Sequence, residues 1–146
     1  MVGVSSDSHA VDAAREAIDK RVGAPPRLVL PEKFEFSSSW RRAQVAPHEV
    51  GPSRDAAHFD VVLGYEDGDD LGDHHRVLFA IENGALRAEC SCKAWTYRDW
   101  CAHVALLYWK WRALNEIGVT NLDTDETHHS RPYWLFVPAE GEEEPL

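Results

Sequence analysis

All three cysteines of this chain stand in one string: Cys90-Ser91-Cys92, eight residues, then Cys101-Ala102-His103. The C-x-C-x8-C-x-H pattern puts three thiols and one imidazole inside a 14-residue window, a complete tetrahedral zinc set of the Cys3His type. The spacing also constrains the backbone. Side chains alternate along a strand, so Cys90 and Cys92 point the same way only if that segment is extended. Residues two apart do not share a helix face, so Cys101 and His103 converge only at a helix start. Cys101 is expected at the N-terminal boundary and His103 in the first turn. A helix N-terminus also favours a thiolate.

The flanking sequence agrees with a strand followed by a helix. Phe59, Val61, Leu63 and Tyr65 form one face of a strand, and Val77, Phe79 and Ile81 one face of the next. Asn83-Gly84 is a two-residue hairpin signal, because both positions tolerate positive φ. Ala85 to Cys92 returns, with Ile81 facing Leu86, Phe79 facing Ala88 and Val77 facing Cys90. A helix is predicted from Cys101 to Glu116, with the stripe Val104, Leu107, Tyr108, Trp111 and Leu114 and a stop at Gly118.

Elsewhere the signals are weaker. Residues 8 to 22 read as a first helix capped by Ser8. Leu28 to Leu30 reads as a short strand. The alternation Phe34, Phe36, Ser38, Trp40 predicts a half-buried strand. Residues 46 to 57, with Pro47, Gly51 and Pro52, read as loop, as do the acidic stretch Glu66 to His75 and residues 121 to 131. Tyr133 to Val137, bracketed by Pro132 and Pro138, is predicted as a last strand, and Glu140 to Leu146 as a disordered acidic tail. The fold class expected is α+β: a small antiparallel meander packed on a helix, a zinc-stabilised ββα finger with an extra N-terminal helix and flanking strands. The organisation expected is an N-terminal flank at 1–58, a finger core at 59–118 and a C-terminal strand and tail at 119–146, all within one domain.

At 146 residues with 44% hydrophobic content, the chain can bury a real core. Met1 to Lys20 has acids and no continuous apolar block, so it does not read as a signal peptide, and no apolar run is long enough for a bilayer. An odd number of cysteines at metal spacing argues against a disulfide framework. The expectation is a cytoplasmic protein. The net charge is −10, and only Lys20, Lys33, Lys93 and Lys110 of the fifteen basic residues are lysines, a composition of the salt-adapted, halophile kind. Charge is unevenly spread: Arg76 to Arg112 carries six basic and three acidic residues. The finger is the basic part of an acidic protein.

A strand ending in C-x-C, a short insert, then C-x-H opening an apolar helix resembles the SWIM zinc finger, over roughly residues 59 to 115. The motif residues are Cys90, Cys92, Cys101 and His103. The resemblance implies a ββα zinc module that binds nucleic acid or protein, such as occurs in helicase-like ATPases, transposases and ubiquitin-pathway proteins. The chain looks like a small stand-alone, haloarchaeal member. The flanks, 1–58 and 119–146, lie outside the resemblance.

One structural Zn2+ on a full ligand set leaves no open coordination position for catalysis. The sequence has no G-x-S-x-G, P-loop or H-E-x-x-H, and no thiol is left for a nucleophile. The expected function is therefore a non-enzymatic adaptor with a protein partner, in DNA transactions by family analogy. No membrane and no small-molecule substrate is expected. The alternative is direct DNA or RNA binding. Candidate contact residues are Lys93, Trp95, Arg98, Trp100, Trp109, Lys110 and Arg112: cations for phosphates, and aromatics that either roof the zinc core or anchor a partner. The pairs His74-His75 and His128-His129 read as surface loop histidines.

Overall fold

The structure, a computed structural model, describes residues 6–20, 25–52, 55–64 and 73–140. A helix, α1 (Ser6–Lys20), is followed by a 3-10 turn (Phe34–Phe36) and α2 (Ser38–Val45). Four strands then run β1 (His48–Pro52), β2 (His58–Leu63), β3 (Asp73–Glu82) and β4 (Ala85–Glu89). Two helices, α3 (Lys93–Arg98) and α4 (Ala102–Arg112), precede a two-strand ribbon of β5 (Val119–Thr120) and β6 (Thr127–His128). No helix of the described residues is long and apolar enough to cross a membrane.

The sheet is an antiparallel meander in the order β1-β2-β3-β4. Asn83 and Gly84 both take positive φ (50° and 71°) and turn β3 into β4. The register matches the alternation: Ile81 faces Leu86 and Phe79 faces Ala88, with the recorded pairing reaching Leu78 and Glu89. Val77, Phe79 and Ile81 are fully buried in the main core with Val61, Leu63 and α4. The opposite face is covered as well: Ala80 packs with Val11 and Ala14 of α1, Ala57 and Leu122. The α+β class is as expected, a four-strand antiparallel meander packed against helices with the Cys3His cluster at the helix junction.

Several local expectations are corrected. The first helix spans Ser6–Lys20, not 8–22, and residues 21–24 lie outside the described residues. Residues 34 to 40 are not a strand. Ser37 is extended and caps α2, its hydroxyl accepting from the Trp40 amide at 3.1 Å. The alternation has only three apolar residues, Phe34, Phe36 and Trp40, and the capping serine outweighs it. Phe36, placed on the buried face by a strand reading, is 88% exposed. Residues 48 to 52, expected as loop, form the edge strand β1, with His48 opposite Leu63 and Pro52 opposite Phe59. Proline and glycine are compatible with an edge, where no further strand needs their amides.

Leu28 to Leu30 lies extended rather than in a full strand. It bridges β4 on one side, through the Leu28 amide on the Leu86 carbonyl, and the C-terminal segment on the other, through Leu30 and Ala139. Tyr133 to Val137 is a turn followed by irregular chain: the Leu135 amide bonds Pro132, and Leu135 and Val137 are buried while Tyr133 is exposed. The β5–β6 ribbon closes what read as a polar loop. Of the two acidic stretches, residues 65–72 and 141–146 lie outside the described residues; Asp73 to His75 begin β3 rather than ending a loop.

Candidate metal centre

Cys90 follows directly on β4 and is buried, and Ser91 beside it is exposed. Cys92, half-buried, is the extended residue that opens α3. Cys101 (φ −150°, ψ 167°) opens α4, and its sulfur accepts from the Val104 amide at 3.4 Å. A cysteine thus does there what serine or aspartate does at most helix starts. His103 lies in the first turn of α4, 2% exposed. Two of the three sulfurs therefore sit at helix N-termini, where oriented amides favour the thiolate. The helix boundary expected from C-x-H is what the backbone adopts at Cys101, whereas the strand expected to run through Cys92 ends at Glu89, leaving Cys90 just beyond it and Cys92 at the start of α3.

One ligand atom from each of Cys90, Cys92, Cys101 and His103 lies within 4.8 Å of all the others. Ligands at ordinary Zn–S and Zn–N lengths stand about 3.5–3.8 Å apart around a tetrahedral ion, so the set fits with a small contraction. All three cysteines are free of disulfides. Their protonation reflects mutual contact. The Cys101 thiol, donating to its neighbours, holds Cys90 down to about 4 against burial, with His103 and the Cys92 amide adding to the effect. It likewise holds Cys92 down to about 6. Cys101 is pushed up from the ordinary thiol range, first by its contact with Cys90 and then by Cys92. Burial alone would lower the His103 imidazole, and the Cys90 and Cys92 sulfurs more than offset it, leaving it raised. Such a proton-sharing sulfur cluster is the state a divalent cation displaces.

The helix α4 ends at Arg112, short of Glu116: Asn115 takes positive φ three residues before Gly118, and Leu114 is 38% exposed rather than in the core stripe. The burial is also broader than one stripe. Every residue from Ala102 to Tyr108 is buried, with Trp111, because α4 is enclosed by α2, the sheet and the ligand cluster. The insert between Cys92 and Cys101, in which no element was expected, contains α3.

Sequence reasoning missed His75 as a neighbour of the site. It lies on β3, and its ring stands edge-on to the ligand ring of His103 with centroids 4.6 Å apart. Its Nδ1 shares a 2.8 Å hydrogen bond with the hydroxyl of Ser91, between the two C-x-C ligands. The neighbouring His74 faces Asp60 instead at 3.8 Å. Alternation of a strand longer than the one read from the sequence is the signal that would have separated the two. His128 packs on Trp134, and among the described residues the only His, Cys, Asp and Glu group at ligating distance is the Cys3His cluster.

The candidate contact residues divide. Lys93 and Arg98 are exposed on α3 and line one groove beside the ligands. Trp95 and Trp100 are buried, at 6% and 2% exposure. Trp100 stacks on Trp40, and its indole N–H donates to the Ser37 hydroxyl at 3.0 Å. Trp109 is half-buried. Lys110 is bound to Glu116 at 2.7 Å, and the Arg112 guanidinium lies over the Tyr108 ring. The aromatic that the insert exposes is Tyr97.

The family model of the SWIM zinc finger matches residues 70–111. Residues 70–111 of this chain are a SWIM zinc finger domain. The matched span takes in β3, β4, α3 and nearly all of α4, so it is narrower than the span expected from the sequence, and β1, β2, α1 and α2 lie outside it. The Cys90, Cys92, Cys101 and His103 cluster in a SWIM finger is consistent with one structural Zn2+. No curated protein and no solved structure significantly matches the chain.

Proposed function

We propose that this SWIM-containing protein is a non-enzymatic intracellular adaptor whose Zn2+ site is a clasp and whose work is to engage a partner protein, in DNA transactions by analogy with its family. The observation that carries the non-enzymatic reading is the convergence of four ligands from three segments onto one point. All four positions of a tetrahedral ion are taken by protein, so a substrate has nowhere to bind the metal. All three thiols of the chain are in the ligand set, which leaves no cysteine nucleophile.

A protein partner is supported by the surface away from the ligands. Tyr133 is 99% exposed and its neighbour Trp134 44%, an adjacent aromatic pair of the kind that anchors protein interfaces. The charge of −10 favours protein over indiscriminate polyanion binding for the molecule as a whole. The test is affinity purification from a nuclease-treated lysate, comparing wild type with Tyr133→Ala/Trp134→Ala and with Cys101→Ala. A protein retained by wild type after nuclease treatment and lost with both variants supports the adaptor. Recovery that disappears on nuclease treatment points to nucleic acid instead.

A further inference from the structure

The metal centre is reached by two arms of chain. Cys90 and Cys92 come from the segment that follows β4, and Cys101 and His103 from the start of α4. The arms are not held equally well. The C-x-H arm belongs to a helix: Cys101 caps it, and every residue from Ala102 to Tyr108 is buried. The C-x-C arm has less support. The pairing of β3 with β4 ends at Leu78 and Glu89, just short of Cys90, and Ser91 between the two ligands is exposed. Chain beyond the end of a ladder keeps conformational freedom, which has to be given up if its ligands are to converge on an ion.

His75 supplies what the ladder does not. Its own backbone is fixed in the pairing of β2 with β3, opposite Val61. Carrying the β3–β4 register past Leu78 and Glu89 sets His75 across from Cys92. Its Nδ1 shares the 2.8 Å bond with the Ser91 hydroxyl, so β3 grips the C-x-C arm between its two sulfurs. Its ring stands edge-on to His103, with centroids 4.6 Å apart, which restricts rotation of the ligand ring. One half-buried side chain on a paired strand therefore touches both arms. His74 differs: alternation turns it to the other face of the sheet, toward Asp60.

We infer that His75 is a positioning residue of the metal centre: acting through Ser91 and the His103 ring, it holds the two arms at coordinating spacing and slows release of the ion. The inference rests on the zinc reading and adds to it a residue outside the C-x-C-x8-C-x-H pattern. The physical cause is preorganisation. Ligands already gathered lose little freedom on binding, and an arm that stays in place when one bond to the ion opens favours rebonding over escape. Residues that orient ligands from behind in this way change metal affinity by about 10–100-fold, and the exposure of the Ser91 bond puts His75 at the low end of that range.

The experiment is the rate of Zn2+ transfer from the loaded full chain to excess chromogenic chelator at neutral pH. His75→Ala should release about tenfold faster than wild type, and His74→Ala at the wild-type rate. Ser91→Ala should show part of the increase. His75→Ala/Ser91→Ala should release no faster than His75→Ala, because the serine acts through the imidazole. His75→Asn, whose side-chain amide reaches Ser91 as Nδ1 does, should recover that part. Cobalt-substituted protein separates positioning from loosening of the fold: the visible bands, which report ligand geometry, should shift in His75→Ala and not in Asp123→Ala, a substitution at the far end of the hairpin. A His75→Ala rate equal to wild type overturns the inference. So does equal acceleration by His74→Ala or Asp123→Ala, which would mean general loosening. Ser91 is exposed, so its variant tests the arm even where His75→Ala does not fold, and release from Ser91→Ala at the wild-type rate then overturns the inference. Wild type that holds no Zn2+ fails the zinc reading itself, a result visible before any variant is compared.

Discussion

The indole N–H of Trp100 donates to the hydroxyl of Ser37 across 63 positions of sequence, at 3.0 Å. The same oxygen accepts from the Trp40 amide and donates to the Phe34 carbonyl at 2.6 Å, so one donor and both acceptor sites of the serine are used. Phe34, Trp40, Trp100 and Tyr108 pack as one ring cluster around it. The insert of the finger is thereby tied to the N-terminal flank. Ser37→Ala removes a helix cap and leaves the largely buried Trp100 N–H without its acceptor. We expect a loss of about 2 kcal/mol in denaturant unfolding. A loss under about 0.5 kcal/mol would mean that solvent replaces the serine.

One Zn2+ per chain is expected in protein purified without added metal, measured by elemental analysis. Less than about half an equivalent contradicts the site. Chelation should lower the melting temperature and make all three thiols react rapidly with alkylating agents, whereas the loaded protein reacts slowly. Cys101→Ala should lose the metal, because it removes both a ligand and the cap of α4.

Zinc retention should fall on acidification. The folded values of Cys92 and Cys90, about 6 and about 4, lie below the ordinary thiol value of 9.0. The unfolded chain then binds more protons at these two groups, so what their thiolates contribute is greatest at high pH and falls as pH drops. It is gone once pH has passed through about 6 at Cys92 and about 4 at Cys90. Protonation of His103, whose value is raised, competes in the same direction. Those values describe the metal-free cluster, and bound Zn2+ competes with protons for the same sulfurs, so a chromogenic chelator should record release only as pH falls below about 6. Release that is as fast at neutral pH as in acid would contradict proton competition at the thiolates.

Asp123 receives the turn of the main hairpin. Its two carboxylate oxygens accept from the amides of Asn83 and Gly84, each at 3.0 Å. The site is exposed, so water replaces the lost acceptor, and Asp123→Ala should cost about 1 kcal/mol. Hydrogen exchange at the Asn83 and Gly84 amides should accelerate in the variant, and unchanged exchange would show that the contact does not protect the turn.

Asp55, buried to 6% exposure, accepts from the Ala57 amide at 2.9 Å, shares a 2.8 Å bond with His58 Nδ1 and pairs with Arg76 at 2.8 Å. These contacts pin the approach to β2 against β3. The Arg76 side chain is 48% exposed and can regain water, which keeps the expected loss for Asp55→Ala to about 2 kcal/mol, below that of a fully buried pair. Equilibrium urea unfolding measures it, and a variant as stable as wild type would show that solvent substitutes for the carboxylate.

The parts of this protein legible in its sequence are those governed by short-range rules. Thiols two apart converge only from extended chain, a C-x-H pair converges only where a helix begins, and Asn83-Gly84 accepts the positive φ that a tight hairpin needs. The expected hairpin register and the helix start at Cys101 follow from these, and so does the ligand set. Where the local signals were weak, they misled. Alternation at 34 to 40 competed with the cap at Ser37, and the prolines around β1 read as loop although an edge strand admits them.

The sequence by itself determined the ligands and the strand–helix junction that gathers them, because bond lengths and backbone sterics act between near neighbours. The tertiary structure alone decided that α2 lies on α4, that Trp100 is buried while Tyr97 is exposed, that His75 leans on His103, and that Arg42 shares a groove with Lys93 and Arg98. Each of those depends on partners dozens of residues apart, and no local pattern encodes which distant side chain will fill the space beside it.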